Sequence, residues 1–145
     1  MGRLFGTDGI RGIANRDLSL RRATEVGMAL AEVIRSEHPG ERPTVVIGRD
    51  TRLSGDMLQS ALAGGLMAGG ADVVLLGVIP TPAVAYLTVQ KKAAAGAVIS
   101  ASHNPYEFNG IKIFGPEGYK LTDDEQDEIE RMLLDGDIPM GPVEP

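Results

Sequence analysis

The feature that most constrains the fold is an alternation of short β-branched runs with longer helical patterns between residues 44 and 114. This rhythm is typical of βαβ units, in which a helix joins two parallel strands. We predict strands at residues 44–48, 72–76, 95–100 and 111–114. Only about ten residues join the last two, too few for a helical crossover. We therefore expect an α/β fold: a three-layer α/β/α domain whose mixed sheet has about four strands, mostly parallel with one antiparallel edge strand.

Hydroxyl side chains stand where four helices are expected to begin. The predicted N-caps are Ser19, Ser54, Thr81 and Thr122. Pro82 would hold the first helical position after Thr81, because a proline there lacks only an N–H group that would have no helical partner. Glu125 completes a capping-box pattern with Thr122, and Gly136 is expected just past the end of that last helix.

Composition excludes several classes of protein. The chain has 145 residues and no cysteine, which excludes disulfides, thiolate metal sites and thiol catalysis. Its net charge of −6 argues against nonspecific binding of nucleic acid. The sequence has no apolar run long enough for a signal peptide or a membrane span. We expect a cytoplasmic protein with neither nucleic acid nor membrane as a partner.

Charge is distributed unevenly along the chain. The first 22 residues hold five arginines against Asp8 and Asp17, whereas residues 117–145 hold ten acidic side chains against Lys120 and Arg131. We interpret the acidic stretch as a solvated helix face. Three prolines then punctuate the end of the sequence, so we expect a domain over residues 1–138 and a linker over 139–145 toward a missing second domain.

Polar loops follow three of the predicted strands, at residues 48–55, 77–82 and 100–105. In an open α/β sheet, ligands bind beyond the carboxyl ends of the parallel strands, so these loops are candidates for a site. The third loop holds two hydroxyls, an imidazole and an amide. Judged from residue types alone, these side chains could equally be turn formers in an exposed loop.

Several well-known catalytic motifs do not occur in the sequence. Ser102 lacks the flanking glycines of a G-x-S-x-G nucleophile elbow, which argues against an α/β-hydrolase. No G-x-x-x-x-G-K-[ST] run is present, so a Walker-type nucleotide site is not indicated. With only His38 and His103 available, the chain cannot build a histidine-rich metal site.

Four motifs occur in the order in which they appear in the α-D-phosphohexomutases. They are FGTDGIRG at 5–12, GRDTRLSG at 48–55, PTPA at 80–83 and ISASHNPYEFNGIK at 99–112. Over most of residues 1–115 the chain resembles this family. The residues within its motifs are most similar to those of the members that act on glucosamine phosphates. The resemblance implies the first domain of a four-domain enzyme. Such enzymes move phosphate between the 6- and 1-positions of a hexose through a bisphosphate intermediate.

The resemblance also implies roles for individual residues. Ser102 would carry the transferable phosphate and, through that phosphate, bind a metal. Arg11 would hold phosphate or orient the site, and Lys112 would act as general acid or base or stabilise developing charge. His103 and Asn104 would fix the loop and donate to phosphate. A supporting shell, whose members could also touch ligand, is expected from Arg49, Asp50 and Arg52.

The cofactors and partners are implied in the same way. In the family, Mg²⁺ is held by the phosphoserine together with aspartates of a second domain, and glucosamine 1,6-bisphosphate serves as activator. The sequence has no D-G-D-x-D-R loop, so we expect it to need the remaining domains of the same enzyme and to be inactive alone on its hexosamine phosphate substrate. Two alternatives remain open: a phosphomannomutase or phosphoglucomutase domain, and a non-catalytic phosphosugar-binding module.

Overall fold

The computed structural model describes residues 4–6, 9–139 and 141–142, which form a mixed sheet with helices on both faces. The strands are β1 (Ile10–Ile13), β2 (Thr44–Arg49), β3 (Asp72–Val78), β4 (Ala95–Ile99) and β5 (Phe108–Phe114). The helices are α1 (Leu20–Glu37), α2 (Gly55–Ala68), α3 (Thr81–Gln90) and α4 (Asp123–Asp135). Within the described residues, no helix is long and apolar enough to cross a lipid bilayer.

The strand order of the sheet is β1-β5-β4-β2-β3. β2 pairs in parallel with both β3 and β4, whereas β5 is antiparallel to β4 and to β1. The predicted α/β class and the antiparallel direction of the strand after β4 are therefore confirmed. The three parallel strands all end at the same edge of the sheet, where the polar loops begin.

The predicted strand count and edge position need correction, because β1 was not expected and it covers the outer side of β5. Ile10 pairs with Ile111 and Ile13 with Phe108, so β5 lies inside the sheet. β1 has only four residues, one of them glycine, which is a weak local strand signal. Its conformation depends on hydrogen bonds to a strand almost a hundred residues later.

Two apolar clusters hold the layers together. The larger one fills the space between one face of the sheet and helices α1, α2 and α4, and it includes the fully buried Leu30, Ile47, Leu62 and Ile129. The smaller one packs Val84 of α3 against Val98 and Phe114 on the opposite face. Removal of this apolar surface from water is the main stabilising contribution, roughly 1.5–3 kcal/mol for each large aliphatic side chain.

Helices α1 and α2 approach closely at two glycines. A Cβ atom at Gly65 would overlap the carbonyl oxygen of Thr24, and one at Gly27 would overlap the carbonyl oxygen of Leu62. The obstacle in both cases is backbone, which cannot swing aside as a long side chain can. These two helices therefore pack at a distance that only glycine permits at positions 27 and 65.

Two predicted caps are confirmed in full. The Ser19 hydroxyl accepts a hydrogen bond from the Arg22 N–H at 3.0 Å, at the start of α1. Thr122 and Glu125 form the predicted capping box at the start of α4, and Gly136 ends that helix in the left-handed conformation with φ of 70°. Both helices thus satisfy their first free N–H groups with nearby side chains.

The other two caps differ from the prediction. Ser54 does occupy the position before α2, but its hydroxyl accepts from the Asn109 side chain at 2.9 Å instead of capping the helix. The prediction for α3 was wrong by one residue, because the extended Pro80 precedes the helix and Thr81 is already helical. Thr81 therefore provides no side-chain cap, and Pro82 stands one position further into the first turn.

The predicted linker over residues 139–145 is described only in part. Met140 and residues 143–145 lie outside the described residues, and the domain boundary at 138 stays a prediction. Gly141 and Pro142 lie against the end of α2, since a Cβ on Gly141 would overlap the Ala68 carbonyl and Pro142 sits beside Gly70. This part of the predicted linker is packed on the domain.

Candidate functional site

The site lies where β2 and β4 end side by side. Arg49 and Ile99, the last residues of these strands, are register partners. The N–H of Asp50 continues the pairing, because it donates to the Ile99 carbonyl at 3.1 Å. The loop after β2 and the loop after β4, here called the serine loop (residues 100–107), therefore lie next to each other, as expected for loops that leave parallel strands.

Ser102 sits in the serine loop in a conformation unusual for its residue type. Its φ is +53°, in the left-handed region, and its side chain is exposed. Its N–H donates to the Ser100 hydroxyl at 3.1 Å, and its carbonyl accepts from Arg52 Nη2 at 2.8 Å. The two serines thus differ in their surroundings. The Ser100 hydroxyl accepts a hydrogen bond from the loop backbone, whereas the Ser102 side chain is exposed.

Arg11 reaches the serine loop from β1. Its Nη2 donates to the Ser102 hydroxyl at 3.1 Å, and its Nη1 makes a longer contact of 3.4 Å with Asn104 Oδ1. Arg11 lies opposite Gly110 in the sheet, and a Cβ there would come within 2.8 Å of the Arg11 side chain. Because Gly110 has no side chain, the Arg11 side chain can cross β5 at this position.

Arg52 and Asp50 form the support of the serine loop. The Asp50 carboxylate accepts from both the N–H and the Nε of Arg52, at 3.0 and 3.1 Å. The Arg52 guanidinium continues to the carbonyls of Pro105 at 2.7 Å and Phe108 at 3.2 Å, besides that of Ser102. Arg49 stabilises the loop after β2, because it donates to the carbonyls of Asp50 and Arg52 and pairs with Asp56.

Lys112 and His103 are less closely engaged. Lys112 lies two residues along β5 from Gly110, so it shares the face of the sheet on which Arg11 lies. Its Nζ stands 5.6 Å from the centroid of the Phe114 ring, a cation–π distance. His103 is exposed beside Ser102. The structure brings Arg11, Ser102 and Asn104 into direct contact, but Lys112 and His103 make no hydrogen bond to them among the described residues.

A magnesium ion is not accommodated by these side chains alone. Among residues 4–6, 9–139 and 141–142, no group of three or more histidine or acidic side chains could hold a metal ion. Asp50, the carboxylate next to the serine loop, already binds Arg52 with both oxygens. Asp8 of the amino-terminal motif lies outside the described residues. Mg²⁺ prefers six oxygen ligands, so the described residues do not make a site for it.

Three residues that sequence reasoning missed also shape the site. Ser100 holds the Ser102 N–H, and the short S-x-S spacing could have indicated such a local turn. The buried Asn109 joins β5 to Ser54, with its Oδ1 accepting from the Gly110 N–H at 2.9 Å. Glu130 binds the amino-terminal segment from α4, and no local sequence signal could have indicated that contact.

Comparison with known proteins gives consistent matches. The family model described as phosphoglucomutase/phosphomannomutase, alpha/beta/alpha domain I matches residues 2–138. A phosphoglucosamine mutase from Carboxydothermus hydrogenoformans is 54% identical over 99% of this chain, and one from Pelotomaculum thermopropionicum is 57% identical over 93%. The chain spans 32% and 30% of the lengths of these two relatives.

Solved structures agree with the sequence comparisons. The crystal structure of a phosphoglucomutase/phosphomannomutase family protein from Burkholderia thailandensis matches 95% of this chain with a TM-score of 0.79 and 32% identity. That match covers 31% of the solved chain, so the shared part is again about a third of a longer protein. The chain therefore belongs to the phosphoglucomutase/phosphomannomutase family, as its α/β/α domain I.

Proposed function

We propose that this chain is the phosphoserine-bearing domain of a longer enzyme that interconverts glucosamine 6-phosphate and glucosamine 1-phosphate. The observation that carries the proposal is the contact of 3.1 Å between Arg11 Nη2 and the Ser102 hydroxyl, at the carboxyl end of the parallel strands. A guanidinium there suits a phosphorylated serine, because phosphate adds roughly −1.5 to −2 charges and strong acceptor oxygens.

The proposed chemistry consists of two phosphoryl transfers. In the first, the bond between phosphorus and the Ser102 Oγ breaks and a bond forms to the free hydroxyl of the sugar phosphate. The hydroxyl loses its proton, Oγ gains one, and the product is a sugar 1,6-bisphosphate. After the bisphosphate turns around, its other phosphoryl group returns to Oγ, which loses its proton to the oxygen that leaves. The phosphoserine is thus restored and the phosphate has changed position.

Each side chain near Ser102 has a proposed part in these transfers. Arg11 neutralises charge on the phosphoryl oxygens and Asn104 holds the Arg11 guanidinium in place, as their contacts support. Lys112 is proposed as the acid or base or as a further positive charge, since it shares the sheet face of Arg11. His103 is proposed to donate to the transferred phosphate from its exposed position in the serine loop.

The remaining parts of the enzyme are proposed to lie in further domains. The relatives are about three times as long as this chain, so a further domain could supply a second binding site for the sugar phosphate. We propose that Mg²⁺ dependence and activation by glucosamine 1,6-bisphosphate belong to that longer protein. A cytoplasmic location is part of the proposal.

Phosphate mapping is the direct test of the proposal. The full-length protein should carry one phosphate, which peptide mapping should place on Ser102. Ser102→Ala should lose the phosphate and the mutase activity together, whereas Ser100→Ala should keep a phosphate on Ser102, because the Ser100 hydroxyl accepts a hydrogen bond from the Ser102 backbone N–H. A stable phosphate on Ser100 would contradict the assignment.

Substrate assays decide between the sugars. Glucosamine, glucose and mannose 6-phosphates should be compared with the full-length protein, each with its 1,6-bisphosphate. The identities of 54% and 57% to two phosphoglucosamine mutases support a preference for the amino sugar. A higher kcat/KM for mannose or glucose 6-phosphate than for glucosamine 6-phosphate would contradict that preference and assign the other sugar as substrate. Binding of sugar phosphates without any turnover would instead support a binding module.

A further inference from the structure

The Arg52 guanidinium holds the serine loop through hydrogen bonds to main-chain carbonyls. All three of its nitrogens are engaged, with Nη1 on the Pro105 and Phe108 carbonyls, Nη2 on the Ser102 carbonyl and Nε on Asp50. Its side chain is only 12% exposed. A planar guanidinium can bind several carbonyls at fixed angles, which a lysine ammonium on a flexible chain cannot reproduce.

Arg52 is itself held from both sides. Asp50 accepts from its N–H and its Nε, and the Asp50 N–H is bonded to the end of β4 through Ile99. Arg49 donates to the Arg52 carbonyl at 3.1 Å, and the Arg49 side chain is 13% exposed. The guanidinium is thus fixed to the ends of two neighbouring strands inside the sheet, β2 and β4.

The conformation of Ser102 requires such a support. A residue other than glycine is disfavoured at φ of +53°, so the surroundings must hold it there. Arg52 fixes the Ser102 carbonyl, and Ser100 fixes its N–H. Neither contact uses the Ser102 hydroxyl, which is left to face Arg11.

We propose that Arg52 is the positioning residue that sets the direction of the Ser102 hydroxyl for phosphoryl transfer. The inference rests on the proposed function, and it divides the work between two arginines: Arg11 binds the side chain of Ser102, and Arg52 binds its backbone. Phosphorylation changes Oγ but not the carbonyl that Arg52 holds. The serine loop therefore keeps one geometry as phosphoserine and as serine, which both transfers of the cycle need.

The test compares three variants in the full-length protein. Arg52→Lys keeps the charge but loses the planar donor set, and Arg52→Gln loses both. Arg42→Gln is the control, because Arg42 forms an ion pair with Asp72 at the opposite end of the parallel strands. For both Arg52 variants we expect kcat to fall about 10- to 100-fold, as a displaced reacting group does, with KM changed by less than about threefold.

Two further measurements separate positioning from general stability. Backbone amides of residues 101–108 should exchange hydrogen faster in Arg52→Lys, while those of α1 exchange as in the wild type. In a single turnover, phosphoryl transfer from purified phosphoenzyme to the sugar phosphate should slow by the same factor as kcat. The Arg42→Gln control should match the wild type in both measurements.

Other outcomes would overturn the inference. A higher KM with unchanged kcat would place Arg52 on the substrate, and a loss of activity equal to the unfolded fraction would make it merely structural. Wild-type kcat and exchange in Arg52→Lys would remove its role altogether. A wild-type protein without phosphate on Ser102 would instead defeat the proposed function, while the exchange data would still report whether Arg52 holds the loop.

Discussion

The Glu130 carboxylate on α4 accepts a hydrogen bond from the Phe5 N–H at 2.8 Å, across 125 residues of sequence. It also accepts from the Leu4 N–H at 3.3 Å, and Glu130 is only 3% exposed. The amino-terminal segment that leads to β1 and Arg11 is therefore fastened to the last helix. Glu130→Ala should lower the free energy of unfolding by about 1–3 kcal/mol, because two backbone donors lose their buried acceptor.

Urea unfolding measures that loss, and Glu128→Ala on the same helix is the matched control. Glu128 forms an ion pair with Arg131 on the helix surface, where its side chain is 48% exposed, so its removal should change stability little. Hydrogen exchange should also accelerate at residues 4–6 in Glu130→Ala. Equal unfolding curves for the two variants would show that the buried contact is unimportant.

Glu37 makes the stability of the domain depend on pH. Partial desolvation, together with a hydrogen bond and repulsion from the Glu125 carboxylate, raises the pKa of Glu37 to about 7, from its ordinary value of 4.5. The folded state then holds a proton that the unfolded state has released. The contribution of this group to stability should therefore decrease as the pH rises from about 4.5 to about 7, and stay low above that.

Glu37→Gln isolates this effect, because glutamine does not ionise. Its melting temperature should exceed that of the wild type at pH 8, and the difference should shrink as the pH approaches 4.5. Thermal melts at several pH values measure the difference. A constant difference across the range would mean that ionisation of Glu37 is not its cause.

Replacement of Arg11 should affect chemistry more than folding. In Arg11→Gln the Ser102 hydroxyl loses its guanidinium partner, and under the proposed function kcat should fall about 100-fold. The free energy of unfolding should change by only about 0.5 kcal/mol, as for other residues outside the core. Arg16→Gln is the control, since Arg16 pairs with Asp17 on the surface with 70% of its side chain exposed. Normal turnover in Arg11→Gln would contradict the assigned role.

Two adjacent glycines of α2 should respond in opposite directions to alanine. A Cβ atom at Gly64 would have no neighbour within 4 Å. Gly64→Ala should therefore stabilise the domain by roughly 0.5–1 kcal/mol, because alanine favours the helix. Gly65→Ala would overlap the Thr24 carbonyl of α1 and should destabilise by about 1–3 kcal/mol or more. Chemical unfolding of both variants compares the two effects. Similar stability for the two would disprove the close approach of α1 and α2.

Local patterns were sufficient for the elements whose signals lie within a few residues. The caps of α1 and α4 could be predicted because Ser19 and Thr122 bond to N–H groups three residues away. The parallel strands β2 and β4 could be predicted because both are buried, and a buried strand needs a continuous apolar run. β1 could not, because its four residues carry little strand signal and become a strand only by pairing with β5.

The sequence by itself determined which residues are available for the site, since the ordered motifs single out Arg11, Ser102 and the loop that contains Arg52. Only the tertiary structure decided what each of them touches. Arg52 binds the carbonyls of Ser102, Pro105 and Phe108, and every residue has a carbonyl. No pattern of side chains can therefore indicate which carbonyls a guanidinium will meet, because that depends on how two loops leave neighbouring strands.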